Sequence, residues 1–166
     1  MWLFNRETGV FFSICFYKEA HSRISLPSLK TGTIRQKILI PKVTPNQVYE
    51  AFLSSKDHTA FTGSEAKCSS KVGGRFSAWD RYIKGRNIEL VPGKKIVQEW
   101  MTTEFPEGYS YSILRISLAK AKSRGTWLTM LQTKVPASQV KKYAEGWQEA
   151  YWIPMKKYFQ RLHKAG

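Results

Sequence analysis

The sequence predicts an α+β fold: a curved antiparallel sheet of about six or seven strands wrapped on a long C-terminal helix, with two short helices after the first strand. Three observations predict it. Ser138–Leu162 carries large aromatic side chains at helical spacing. Ahead of it, the chain from Gly73 to Thr133 alternates apolar and polar residues in short runs, broken at Pro92-Gly93, Pro106-Glu107-Gly108 and Gly125. The breaks are too short for crossovers, so neighbouring strands must run antiparallel.

The terminal helix organises the rest. Val140, Tyr143, Trp147, Tyr151, Pro154, Tyr158 and Leu162 draw one stripe, and Trp152, Met155 and Phe159 a second beside it. So wide an apolar arc needs a sheet to cover it. Ser138 is the candidate N-cap, and Pro136 stiffens the approach. Pro154 lacks an amide hydrogen and predicts a kink or two abutting helical pieces. Gly146, directly before Trp147, costs ~1 kcal/mol against alanine inside a helix. We read it as close helix–sheet packing, the alternative being room left for a molecule beside Trp147.

Residues 1–32 do not match the rest and read as a poorly ordered N-terminal extension. Val10–Tyr17 is apolar but too short to span a bilayer, and the Ser, Pro and Gly content after it is linker-like. The domain proper is assigned to 33–166. Ile34–Ile40 is a strand with Ile34, Ile38 and Ile40 on one face, ended by Pro41. Thr44 caps a short helix with Pro45 in its first turn and Val48, Tyr49, Phe52 and Leu53 facing inward. A further turn, Lys56–Phe61, closes at Gly63, and Thr62–Lys71 is a polar strand or loop. Gly73-Gly74, glycines that suit a strongly bent strand, lead into Ser77–Asp80. Ile83–Val91, Lys95–Met101, Tyr109–Leu118 and Thr126–Thr133 follow. Alternation pairs Ile88 with Leu90, Ile96 with Trp100, and Leu114 with Ile116 and Leu118 on common faces. Glu89 then points to water.

Composition narrows the function classes. An apolar share of 42% in 166 residues supports one sizeable core. A net charge of +15 suits an acidic protein, a nucleic acid or an anionic membrane surface. Cys15 and Cys68 make neither a disulfide framework nor a metal site, so a reducing cytoplasm is the expected compartment. His21, His58 and His163 lie far apart without ligand spacing. No metal and no cofactor is expected.

An ordered set of short matches runs from Thr44 to Trp152. It comprises Thr44-Pro45 before Val48–Phe52, then Thr62-Gly63, then Val72–Phe76, and then Leu90–Trp100 with its Pro92-Gly93-Lys94-Lys95 centre. Pro106–Gly108, Gly125-Thr126, Leu128-Thr129, Val135-Pro136, Gly146-Trp147 and Tyr151-Trp152 complete it. In that order they resemble the helix-grip (START-like, or SRPBCC) superfamily, and within it the family named for the activator of the ninety-kilodalton heat-shock chaperone's ATPase. Three positions depart from the family pattern: Phe61 for a common Trp, and Arg81 and Lys134 for frequent glycines. The family's eukaryotic co-chaperones also carry a separate N-terminal domain, which 32 residues cannot replace. The resemblance implies the helix-grip fold and a link to the chaperone, while function needs its own warrant.

A gripped helix leaves a natural ligand cavity against the sheet. Alternation lines it with Phe76, Trp100, Leu114, Met130, Trp147 and Tyr151, and with Gln98 and Gln132 as polar contacts. Trp79 and Tyr111 join only in the opposite strand phase. The first reading is therefore a non-enzymatic domain holding a small hydrophobic ligand. The alternative is a co-chaperone-like protein meeting an acidic surface through Lys120, Lys122, Arg124, Lys141 and Lys142. A second alternative, a cyclase- or hydrolase-like enzyme in the same cavity, finds no support in the residues. Asp80, Glu89, Glu99 and Glu104 form no pair set to face one substrate, and Cys68 has no visible base. The scattered lysines carry no nucleic-acid recognition motif.

Overall fold

The computed structural model describes residues 29–122 and 124–164, together with two three-residue strands, β1 (Trp2–Phe4) and β2 (Phe11–Ser13), which pair antiparallel with each other. Cys15, His21 and most of the Val10–Tyr17 run lie outside the described residues, as does most of the expected extension. Its end does not. Thr31 and Gly32 already belong to strand β3 (Thr31–Pro41) and pair with Pro136 and Val135.

Two short helices follow, α1 (Pro45–Leu53) and α2 (Ser55–Thr62). Thr44 caps α1 by a reciprocal box: its hydroxyl accepts from the Gln47 amide while the Gln47 side chain accepts from the Thr44 amide. Strands β4 (Arg75–Ala78), β5 (Ile83–Val91), β6 (Lys95–Thr102), β7 (Ser112–Lys120) and β8 (Gly125–Pro136) come next. With β3 they form one six-stranded antiparallel sheet in the order β3-β8-β7-β6-β5-β4. Its inner face presents Ile34, Ile38, Ile40, Ile96, Leu114, Ile116, Leu128 and Met130 to the core.

A helical rod closes that face. It runs through α3 (Val140–Gly146), a π-turn over Trp147–Trp152 and α4 (Ile153–Leu162). Tyr143, Trp147, Tyr151, Trp152, Met155 and Phe159 are its buried side chains. Gln36 on β3 clamps the rod, accepting from the Trp152 indole at 2.5 Å and donating to the Ala144 carbonyl at 2.7 Å. The fold is thus the predicted helix-grip arrangement, a curved sheet on a long C-terminal helix.

Local expectations need four corrections. Ser138 does not cap: it sits in a 3-10 turn, Ala137–Gln139, and α3 starts without a side-chain cap. Two stripes become one, because the π-turn re-aligns the rod and leaves Leu162 exposed. A bulge between Asn87 and Glu89 turns Ile88 outward, off the face of Leu90. The pair Gly73-Gly74 makes a tight turn rather than a bent strand. Gly73 has φ 77°, and a Cβ on Gly74 would lie 2.0 Å from the Ser69 hydroxyl. The glycine that serves close approach within the sheet is Gly85, where a Cβ would meet the Glu99 carbonyl at 1.9 Å and the Phe76 ring at 2.6 Å.

Candidate functional site

An apolar cavity of about 210 Å³ lies where the β4–β5 turn and β6 face the α3–π junction of the rod. The sheet side contributes Trp79, Tyr82, Ile83 and Trp100. The rod contributes Lys142, Tyr143, Gly146, Trp147, Ala150 and Tyr151. Gly146 explains part of the space, since a Cβ built there meets no atom within 4 Å. Close helix–sheet packing is therefore not the reason for this glycine. It leaves the cavity wall open.

Of the eight residues expected to line a cavity, Trp100, Trp147 and Tyr151 do so. The other five are framework. Leu114 and Met130 are fully buried at the centre of the sheet, and Phe76 covers Gly85. Gln132 accepts from the Trp147 indole at 2.7 Å and donates to Ser112 at 2.9 Å, so it fixes the Trp147 ring from behind. Gln98 donates to Asn87 at 2.8 Å, and Asn87 holds the Ser69 and Lys71 carbonyls, tying a loop to the sheet. Tyr111 is exposed, whereas Trp79 reaches the cavity. Trp79, Asp80 and Arg81 all take left-handed φ values of 54°, 52° and 72°, so period-two alternation fails at that turn.

A polar cluster forms the cavity's rim. The Tyr82 hydroxyl donates to Glu104 at 3.0 Å, and the Lys142 ammonium pairs with the same carboxylate. That ammonium, followed by the Tyr82 hydroxyl, holds the Glu104 carboxyl below its usual range, and the pair holds Lys142 above its own. Tyr143 and Thr102 share a hydrogen bond at 2.6 Å, and burial lifts the Tyr143 phenol to about 12. Burial also raises the Tyr151 phenol. The rim thus carries one cation, one carboxylate and phenols that stay protonated at neutral pH.

Behind Tyr151, the fold brings together Cys68 and His58, a pairing that separation in the sequence hid. The thiol lies 3.6 Å from His58 Nδ1. That nitrogen is 2.9 Å from the Phe52 carbonyl, which can only accept, so Nδ1 carries the hydrogen. Nε2 faces the Tyr151 hydroxyl at 3.5 Å. His58 therefore offers no lone pair to the thiol. Burial lowers the His58 pKa and lifts the Cys68 thiol to about 11, which keeps both groups neutral.

The expected basic surface is divided. Lys120, Lys122 and Arg124 ring the β7–β8 turn, beside Pro41 and Lys42 at one end of β3. Lys141 and Lys142 start the rod, next to Gly32 at the other end of β3, where Val140 packs. Nine residues of strand separate them by about 30 Å. Between them the outer sheet face carries Arg35 and Arg115, both paired across Leu131, and Lys37, whose ammonium sits 4.8 Å from the Trp127 ring centre. Arg35 and Lys37 are both exposed on β3, opposite Ile34, Ile38 and Ile40.

No helix among the described residues is long and apolar enough to cross a membrane, and no group of three or more His, Cys, Asp or Glu among them is placed to hold a metal ion. Residues 42–160 match the family model described as activator of Hsp90 ATPase homolog 1-like protein. The chain is 29% identical over 136 residues to the human protein named activator of 90 kDa heat shock protein ATPase homolog 1, covering 82% of this chain and 38% of the relative. It is 30% identical over 121 residues to the Dictyostelium discoideum homologue, covering 73% of this chain and 30% of that protein. The chain thus spans well under half the length of these relatives. The crystal structure of an HSP90 activator from Plasmodium falciparum superposes with a TM-score of 0.61 at 25% identity, covering 72% of this chain and 87% of that one. The chain belongs to the activator of Hsp90 ATPase homolog 1-like family.

Proposed function

We propose that this domain engages the ninety-kilodalton heat-shock chaperone and modulates its ATPase. The observation that carries the reading is the family match over 42–160, with relatives from human and Dictyostelium named as activators of that ATPase. The chain corresponds to only part of those relatives, so the share of the activity it retains is the quantity to measure. The test is chaperone ATPase turnover with the chain titrated in, alongside direct binding. Measurable binding with a change in turnover is the expected result, and no binding at about 100 μM would defeat the reading.

A second reading, that the domain also holds a small hydrophobic ligand, is favoured by the vacancy at Gly146 and the indoles and phenols around it. Under both readings the domain is not an enzyme. In support, Lys142 is the one charged residue on the cavity wall among the described residues, and the Cys68 thiol is held protonated. Neither acid–base nor nucleophilic work has a poised group there.

A further inference from the structure

The rim of the cavity is unequal in what it can offer a guest. The Tyr82 hydroxyl hydrogen is already spent on Glu104, and the Tyr143 hydroxyl is engaged with Thr102. The Trp147 indole donates to Gln132. Lys142 is different. It lines the cavity, is more than half exposed, and its hydrogen bond to Glu104 uses one of three N–H groups. The rim therefore has donors to spare on the cavity wall, whereas its one carboxylate, Glu104, takes both the Lys142 and Tyr82 bonds on Oε2 and does not line the cavity.

Size sets the second limit. A cavity of about 150 Å³ takes benzene, so about 210 Å³ suits a fused bicyclic ring and is too small for a long-chain lipid. Aromatic walls favour a flat body that can stack or meet ring edges. A cation is disfavoured, since it would leave water for an apolar site beside an ammonium. Gly146 in mid-rod forgoes helix propensity and keeps this space open.

We propose that the cavity takes a small flat apolar molecule bearing one oxygen acceptor, a carboxylate or carbonyl, with that oxygen on the Lys142 ammonium. The inference rests on the ligand-holding reading and names the chemical class of the guest.

The test is calorimetric binding of three probes to the full chain: 2-naphthoic acid, 2-acetylnaphthalene and naphthalene. At least one acceptor-bearing probe should bind about tenfold tighter than naphthalene, and whether acid or ketone is preferred identifies the oxygen. Lys142→Met should remove that preference, so that the three probes bind the variant alike. Gly146→Leu should abolish all binding by filling the cavity, and Ala150→Leu serves as a second plug where the first variant folds poorly. Equal binding of naphthalene and both other probes would overturn the role of Lys142 while the cavity reading stands. No binding of any probe to the unmutated chain at millimolar concentration would defeat the ligand reading itself.

Discussion

Lys134 holds a backbone conformation that its own side chain opposes. Its φ of 60° lies in the left-handed region, at the position where β8 bulges against Gly32–Ile34. Arg81, at 72°, is strained in the same sense. The family pattern that the sequence resembles expects glycine at both positions, and the geometry gives a reason: without a Cβ the conformation is free of that clash. Lys134 is exposed and makes no ion pair among the described residues, so little else is lost on replacing it. Lys134→Gly should stabilise the protein by about 1 kcal/mol in urea unfolding, and a loss of stability would show that the bulge is not strained. At this scale the sequence reveals the departures from pattern but not their effect on direction. Trp79 was legible as an aromatic near the site. Its inward aim depends on three consecutive left-handed residues that no alternation rule anticipates.

The rod shows how one element reconciles conflicting periods. Tyr143, Trp147, Tyr151, Met155 and Phe159 recur every four residues, and in a pure α-helix each such step drifts about 40° around the axis. Across the run the stripe would leave the sheet. The π-turn over Trp147–Trp152 takes up the drift, with the Ile153 amide bonding back to the Gln148 carbonyl, and all five side chains stay buried. Pro154 follows directly, in the first turn of α4, where the π-turn has already interrupted the i to i−4 ladder. Pro154→Ala should therefore change stability by under ~1 kcal/mol, against ~3 kcal/mol for a proline in an uninterrupted helix. A gain near the larger figure would mean the rod is strained at that point. The break was legible from Pro154. The π-turn was not, because it answers the sheet's demand that widely spaced rings share one face. The helix, both short helices and the antiparallel run of strands were legible because local period and turn chemistry agree there, whereas the pairing of β3 with β8 is a long-range contact that neither carries.

At the scale of the whole molecule, the informative quantity is how the +15 net charge is spread. Counting lysines along the chain joins the β7–β8 turn to the start of the rod. The register of β3 parts them by about 30 Å, and the outer sheet face adds Arg35, Lys37 and Arg115 between. The basic character is thus a field over much of the surface, and such a field speeds encounter with an acidic partner more than it fixes a contact. Two triple variants separate these effects. One replaces Lys120, Lys122 and Arg124 with glutamate, and the other replaces Arg35, Lys37 and Arg115. Each changes net charge equally, so steering alone requires similar several-fold losses in association rate with the ninety-kilodalton chaperone. At about 0.5 M salt, where screening acts within a few ångströms, both losses should vanish. A loss confined to one triple, persisting at high salt and appearing in the dissociation rate, would place the contact on that surface and replace a diffuse field with a defined interface.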